Sequence, residues 1–279
     1  MMDYLQRAKF FRTKKRLGQN FLIDSDVISD IIDYANITKE DVVVEIGPGV
    51  GFVTEQLVKY AKKVIAIELD EEAIKELEKL ECDNLEIIHN DILKTDLSSL
   101  CDGQVKIVAN IPYYITSPII AHLLGEIDDL ENKNRAKIVD IILMVQEEVA
   151  RRIVATEKSA SKQYGLLTIL SRFWADCSIV RLVGRRSFYP APKVNSALVS
   201  LKVRKEPLIH LSDYSYFRKI VKAAFSQRRK TLKNCLVSSG FDKEKVAKAI
   251  NKLGLDENIR GEKLSIEDFG KLSESMKEG

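Results

Sequence analysis

Val42-Val43-Val44-Glu45-Ile46-Gly47-Pro48-Gly49-Val50-Gly51 is the stretch on which the reading of this chain turns. Five residues with almost no polar interruption suit a strand buried on both faces, as strands of a parallel sheet are. Three glycines follow at alternate positions, and a helical pattern starts near Val53. A strand, a glycine turn and a helix start form the crevice in which nucleotide-type cofactors bind. Glycine lets the backbone approach a ligand where a Cβ would collide. The spacing is G-x-G-x-G, shorter than the G-x-G-x-x-G that cradles a pyrophosphate. A nucleoside-type cofactor is therefore expected.

Outward from there the chain alternates. Apolar β runs fall at 64–68, 86–89, 105–109, 138–145, 178–183 and 197–203. Helical patterns lie between them at 53–60, 71–80, 118–124, 147–155 and Leu166–Trp174. Strand–helix alternation predicts right-handed crossovers and a mostly parallel sheet covered on both faces. The last two strands are joined by 184–195, which has no helical pattern, so they should form an antiparallel hairpin at one edge. Seven strands ending this way give an α/β fold with the outline of a class I methyltransferase, a Rossmann-like variant. Beyond Val203 the texture changes to helices at 213–225, 228–237, 243–253 and 266–276. This predicts two domains, 1–205 and a small all-helical 206–279.

The 279 residues are 45% hydrophobic and 30% charged, ordinary for a soluble globular protein. No run of about 18 apolar residues offers a membrane span, and residues 1–11 lack the apolar core of a signal peptide. A cytoplasmic protein is expected. Four scattered cysteines without a C-x-x-C pair, and three scattered histidines, suggest reduced thiols and no metal site. Nothing demands more than a monomer. Net charge is +3, but residues 1–20 carry +5 and residues 181–233 carry +12, so the remainder is acidic. Two basic segments interleaved with Phe, Tyr and Pro suit a polyanion better than a merely solvated face.

Candidate site residues sit at the ends of consecutive strands. Glu68 closes the second and can hold the hydroxyls of an adenosine ribose. Asp91 and Ile92 follow the third and can read an adenine edge. Asn110-Ile111-Pro112-Tyr113 ends the fourth. There an amide oxygen and the Ile111 carbonyl can accept from an exocyclic NH2, Pro112 fixes the turn, and Tyr113 offers a stacking face. Glu45, Glu68 and Asp91 face this crevice, and residues 47–51 carry no base. That charge pattern suits the sulfonium of S-adenosylmethionine and disfavours a phosphate-bearing dinucleotide.

Lys15-Arg16-Leu17-Gly18-Gln19-Asn20-Phe21-Leu22, the glycine loop, Glu68, Asn90-Asp91-Ile92 and Asn110-Ile111-Pro112-Tyr113 together resemble the ribosomal RNA adenine dimethyltransferases. Ser187-Phe188-Tyr189-Pro190-Ala191-Pro192-Lys193-Val194 and Phe225-Ser226-Gln227-Arg228-Arg229-Lys230-Thr231-Leu232 are most similar to the KsgA branch, which modifies small-subunit rRNA. The resemblance implies that Asn20, Leu22, Gly47, Glu68, Asp91 and Asn110 contact S-adenosylmethionine, with Gln19 and Gly49 nearby. It also implies a small ribosomal subunit as partner and N6-dimethylation of two adjacent adenosines near the 3′ end of its rRNA.

In that setting Phe188 is either the wall opposite Tyr113 or a core anchor of its loop. Lys14, Lys15 and Arg16, then Arg185, Arg186 and Lys193, then Arg228, Arg229, Lys230 and Lys233 are candidate phosphate contacts. Arg228 and Arg229 have a second option in pairing with acids. Three rivals stay open: a large-subunit rRNA methyltransferase of the macrolide-resistance type, a dehydrogenase, and an assembly factor whose binding matters more than its catalysis.

Overall fold

Val42–Ile46 is a strand, buried from its second residue onward. It is the third strand of a seven-stranded sheet in the computed structural model, which describes residues 4–11, 13–14, 18–112, 115–160 and 162–278. The chain divides into two compact units. The first comprises 1–125, 131–150 and 176–203, and the second 126–130, 151–175 and 204–279.

The first unit opens with α1 (Tyr4–Phe10), β1 (Phe21–Leu22) and α2 (Ser25–Tyr34). It continues through β2 (Val42–Ile46), α3 (Thr54–Tyr60), β3 (Lys63–Glu68), α4 (Glu71–Glu78), β4 (Leu85–His89) and β5 (Val105–Asn110). After α5 (Thr116–Leu124) and α6 (Lys133–Lys137) come β6 (Ile138–Gln146) and α7 (Glu147–Val154). Beyond α8 (Leu166–Trp174), β7 (Ala175–Val183), β8 (Phe188–Tyr189) and β9 (Ser196–Val203) complete the strands.

The main sheet runs β4-β3-β2-β5-β6-β9-β7. Its first five strands are parallel, and β9 is antiparallel to β6, with Leu143 opposite Val199. The last strand in sequence is thus interior, between β6 and β7, and β7 holds the edge. Register aligns Ile46 with Ile67 and Ala109, and Glu68 with His89. The C-terminal ends of four strands therefore share one rim. Strand order reverses between β2 and β5, the switch point at which open α/β sheets bind ligands.

Five elements of this unit, α1, α2, α6, β1 and β8, have no counterpart in the sequence reading. Helix α2 starts where Asp24 accepts from the Asp26 and Val27 amides and buries Val27, Ile28, Ile31 and Ile32 along one face. Helix α1 docks through Tyr4 on Phe52, the Arg7 guanidinium over Phe52, and an Arg7–Glu55 ion pair. The two-residue β1 pairs antiparallel with β8, joining Leu22 to Phe188 and Phe21 to Tyr189. Their side chains share one core with α2, Phe52, Leu57 and Leu198.

The second unit holds α8, α9 (Tyr214–Ala224), α10 (Leu232–Ser238), α11 (Lys243–Lys252) and α12 (Ile266–Glu278). Asp213, Thr231 and Asp242 cap three of these helices with side-chain oxygens on backbone amides. Its core is aromatic: Phe173 stacks on Phe217 and meets Trp174 edge-on, while Phe225 packs on Phe269. Trp174 donates Nε1–H to the Glu126 carbonyl, and Arg218 reaches Glu126 and Asp128, so 126–130 belongs with these helices.

Candidate active site

The rim of the sheet opens into a cavity lined from five directions. Residues 18–22, the glycine turn with Glu45 and Ile46, the Ile67-Glu68-Leu69 corner, Asn90-Asp91-Ile92, and Asn110-Ile111-Pro112 all contribute. Each of the residues expected from sequence at the cofactor, from Gln19 to Asn110, lines it.

Glu68 is 8% exposed and is aimed by backbone amides. Its Oε2 accepts from Gly49 N–H at 3.0 Å, and its Oε1 accepts from Leu69 and Asp70 N–H at 2.8 and 2.9 Å. Burial raises its pKa, while the three amide bonds pull the other way without cancelling the rise. With three of its roughly four acceptor positions taken, Oε2 keeps room for one more donor. Gly49, the source of one of those amides, has φ +57°, and a Cβ there would lie 2.8 Å from the Phe21 ring. The close approach that demands glycine is therefore made by the chain's own segment 18–22.

Glu45 lies beneath, 3% exposed, and accepts from the Thr54 hydroxyl at 2.6 Å. Burial pushes its pKa from 4.5 to about 8, opposed by the Thr54 bond and aided by the neighbouring Glu68. An acid whose folded pKa exceeds its unfolded one binds a proton on folding, so stability falls as pH rises between the two values. Thermal melts from pH 5 to 9 should show the native protein losing stability across the window from 4.5 to about 8. A Glu45→Gln variant, which keeps the oxygen that faces Thr54, should lose less. Parallel curves for the two proteins would rule this out.

Asn110 ends β5, and its Nδ2 donates to the Asn20 carbonyl at 3.3 Å. That bond turns Oδ1 into the group's available acceptor. The Asn20 side chain is in turn fixed on the Gly18 carbonyl at 2.9 Å. Asp91 caps the short turn Ile92–Lys94 by accepting from Leu93 N–H, and its carbonyl takes the Thr95 hydroxyl. His122 on α5 bonds the Thr95 carbonyl, and Asn134 on α6 accepts from Leu97 N–H. These two side chains hold the Asp91 loop from behind, and no local sequence motif announces them.

Other expected site residues lie elsewhere. Phe188 is not among the lining residues; pairing of β8 with β1 buries it to 3% exposure in the core. Of its two sequence readings, the core anchor matches this position. Lys14 directs its ammonium to Asp70 at 2.6 Å and Glu72 at 3.5 Å. Arg185, Arg186 and Lys193 are exposed in the first unit. Arg228, Arg229 and Lys230 are exposed in the second, with Arg228 donating to the Lys162 carbonyl, and Lys233 is half-buried. Tyr113, Lys15 and Arg16 lie outside the described residues.

Three acids and four side-chain amides line the cavity, with no Lys, Arg or His among the lining residues. This donor set fits a cationic, phosphate-free adenosine cofactor. Among the described lining residues a pyrophosphate has no cationic partner.

Comparison with known proteins agrees with this geometry. A family model described as ribosomal RNA adenine dimethylase matches residues 10–278. The ribosomal RNA small subunit methyltransferase A of Clostridium acetobutylicum is 43% identical over 270 residues, 95% of this chain and 94% of that protein. That of Bacillus licheniformis is 43% identical over 280 residues, covering 96% and 92%. Among solved structures, a dimethyladenosine transferase from Plasmodium falciparum aligns with TM-score 0.73 and 28% identity over 89% of this chain and 94% of that one. The 23S rRNA methyltransferase ErmE aligns with TM-score 0.69 and 27% identity over 92% and 100%.

Proposed function

Since the chain belongs to the ribosomal RNA adenine dimethylase family, we propose that it dimethylates N6 of two adjacent adenosines in a hairpin near the 3′ end of small-subunit rRNA. It is an S-adenosylmethionine-dependent rRNA adenine dimethyltransferase. The observation that carries the residue assignment is the single cavity joining acids and amides to Asn110-Ile111-Pro112, with no base in its lining.

The cofactor supplies a methyl group made electrophilic by the adjoining sulfonium. Glu68 would hold the ribose through Oε2, and Asp91 with Ile92 would meet the adenine. The target N6 is a weak nucleophile because its lone pair is delocalised into the ring. Asn110 Oδ1 and the Ile111 carbonyl accept its two N–H groups and favour a pyramidal nitrogen as attack proceeds. Acceptors placed where positive charge develops stabilise the transition state without a strong base. The bond from Asn110 to the Asn20 carbonyl keeps Oδ1 on the substrate side. Holding the nitrogen in line with the donated methyl is the remaining contribution. The target adenine must leave its stack to arrive there, and Tyr113 follows directly in sequence as a stacking face.

Outside the cavity, exposed Arg185, Arg186, Lys193, Arg228, Arg229 and Lys230 would meet phosphates. The enzyme would act as a monomer, in the cytoplasm where ribosomal subunits mature. No helix among the described residues is long and apolar enough to cross a membrane.

The test is methyl transfer from labelled S-adenosylmethionine to small ribosomal subunits that lack dimethyladenosine, with nucleoside mass spectrometry of the product. N6,N6-dimethyladenosine on small subunits is the expected result, with transfer weakening steeply as salt rises at subsaturating subunits. Methylation of large subunits instead would overturn the substrate assignment. Transfer indifferent to salt would remove the basic residues from the interface.

A further inference from the structure

Asp70 follows the rim of the sheet by two residues and caps α4, accepting from Glu72 N–H at 3.1 Å. A cap needs one acceptor, yet this side chain is almost wholly buried and carries two more partners. Lys14 Nζ lies 2.6 Å from Oδ1, and Gln19 Nε2 lies 2.7 Å from Oδ2. Gln19 Oε1 accepts from the backbone N–H of Lys14 at 2.7 Å, closing a ring among the three residues. The Asp70 amide meanwhile donates to Glu68. One residue thus joins the acid that faces the cavity, through its amide, to the segment 18–22 that forms the opposite wall, through its carboxylate.

We propose that Asp70 is a positioning residue for the methyl donor: its carboxylate clasps Lys14 and Gln19 and so seats residues 18–22 against the cofactor cavity. The proposal rests on the S-adenosylmethionine reading of that cavity. It moves Lys14 from the rRNA-facing set to the cofactor side, because its ammonium is held inward by Asp70 and Glu72. Burial works to raise the Asp70 pKa, but the hydrogen bonds from Lys14 and Gln19 outweigh it and keep the group ionised. The Asp70 bond in turn raises the pKa of Lys14.

The clasp reaches the chemistry by a short path. Gln19 precedes Asn20, whose carbonyl holds the Asn110 amide, and Phe21 packs over Gly49. Releasing Asp70 should loosen the wall when the cavity is empty, whereas saturating donor, in contact with both residues 18–22 and the glycine turn, reseats it and with it the Asn20 carbonyl that holds Asn110. The expected signature is therefore a split: weaker binding of the donor with little change in turnover at saturation.

Asp70→Asn is the informative variant. Asparagine caps a helix as well as aspartate does, so α4 keeps its start. An amide offers only one oxygen to donors that the carboxylate meets with two. S-adenosylmethionine affinity should fall about tenfold, the worth of one charge-assisted hydrogen bond. kcat at saturating donor should stay within about twofold, and the KM for small subunits should not move. Lys14→Met should weaken donor binding too, and the double variant should be no worse than Asp70→Asn alone, since Lys14 acts through Asp70.

Equilibrium binding of labelled S-adenosylmethionine and the two KM values, beside a thermal melt of each variant, give the answer. A Lys14→Met variant that raises the KM for subunits and spares donor affinity would return Lys14 to the RNA and sink the proposal. Unchanged donor affinity in Asp70→Asn would sink it equally. Native protein that binds the donor yet leaves subunits unmethylated would overturn the substrate reading and leave the clasp to be judged by affinity. Native protein that binds no donor would end both.

Discussion

Asn110→Ala is expected to lower single-turnover methyl transfer to small subunits about a thousandfold, the scale set by removing a preorganised group that stabilises transition-state charge. The loss should fall on the chemical step, because the missing oxygen is the acceptor proposed to favour a pyramidal N6. Asn110→Asp should fall between the two. It retains an acceptor, but its carboxylate has no donor for the Asn20 carbonyl that fixes the native amide at 3.3 Å. Rates are to be read at saturating S-adenosylmethionine, so that any weakening of donor binding does not count. A rate for Asn110→Ala within tenfold of native would mean that the amide does not carry the transfer.

Gly49→Ala is expected to reduce S-adenosylmethionine affinity about a hundredfold. Two costs combine at this position. A side chain in the left-handed region costs about 1–2 kcal/mol, and overpacking a filled site costs about 1–3 kcal/mol more. The second arises from the Phe21 ring, 2.8 Å from where the Cβ would sit. Relief by moving the turn would strain the bond from Gly49 N–H to Glu68. The origin can be tested by shrinking the ring: Gly49→Ala with Phe21→Leu should bind the donor better than Gly49→Ala alone. If the second change gives no recovery, backbone conformation rather than the Phe21 contact sets the requirement for glycine.

Much of this was legible in the sequence because the informative residues are local. Strands buried on both faces must be continuous apolar runs, so Val42–Ile46 and its successors stand out without any knowledge of their partners. Glycines that turn a strand into a helix are confined to a few positions. Residues that end adjacent parallel strands meet on one rim by topology alone, and thus Glu68, Asp91 and Asn110 converge.

What escaped depends on pairings across long stretches of chain. A two-residue strand such as β1 has no periodicity, and nothing near Phe21 indicates that Tyr189 lies opposite. That pairing is also what buries Phe188. Lys14 sits in a basic run and reads as a phosphate contact, while its partner Asp70 is 56 residues away and reads as an ordinary helix cap. Helix α8 alternates with strands like its predecessors, and its Phe173 and Trp174 pack with Phe217 and residue Glu126 only in three dimensions. The amphipathic face of α2 was there to be found in Val27, Ile28, Ile31 and Ile32, behind the Asp24 cap.

The pairing of β1 with β8 also sets a timetable for the making of the protein. The strand at residues 21–22 waits for a partner roughly 170 residues downstream. At about 5–20 residues per second, a translating ribosome needs on the order of ten seconds to supply it. Until then the wall opposite the glycine turn is held from one side alone, by Asp70 through Lys14 and Gln19. The fully pinned wall thus comes late in biogenesis, after β8 has emerged. A nascent fragment of this enzyme therefore carries its cofactor wall braced on one side until the first unit is nearly complete.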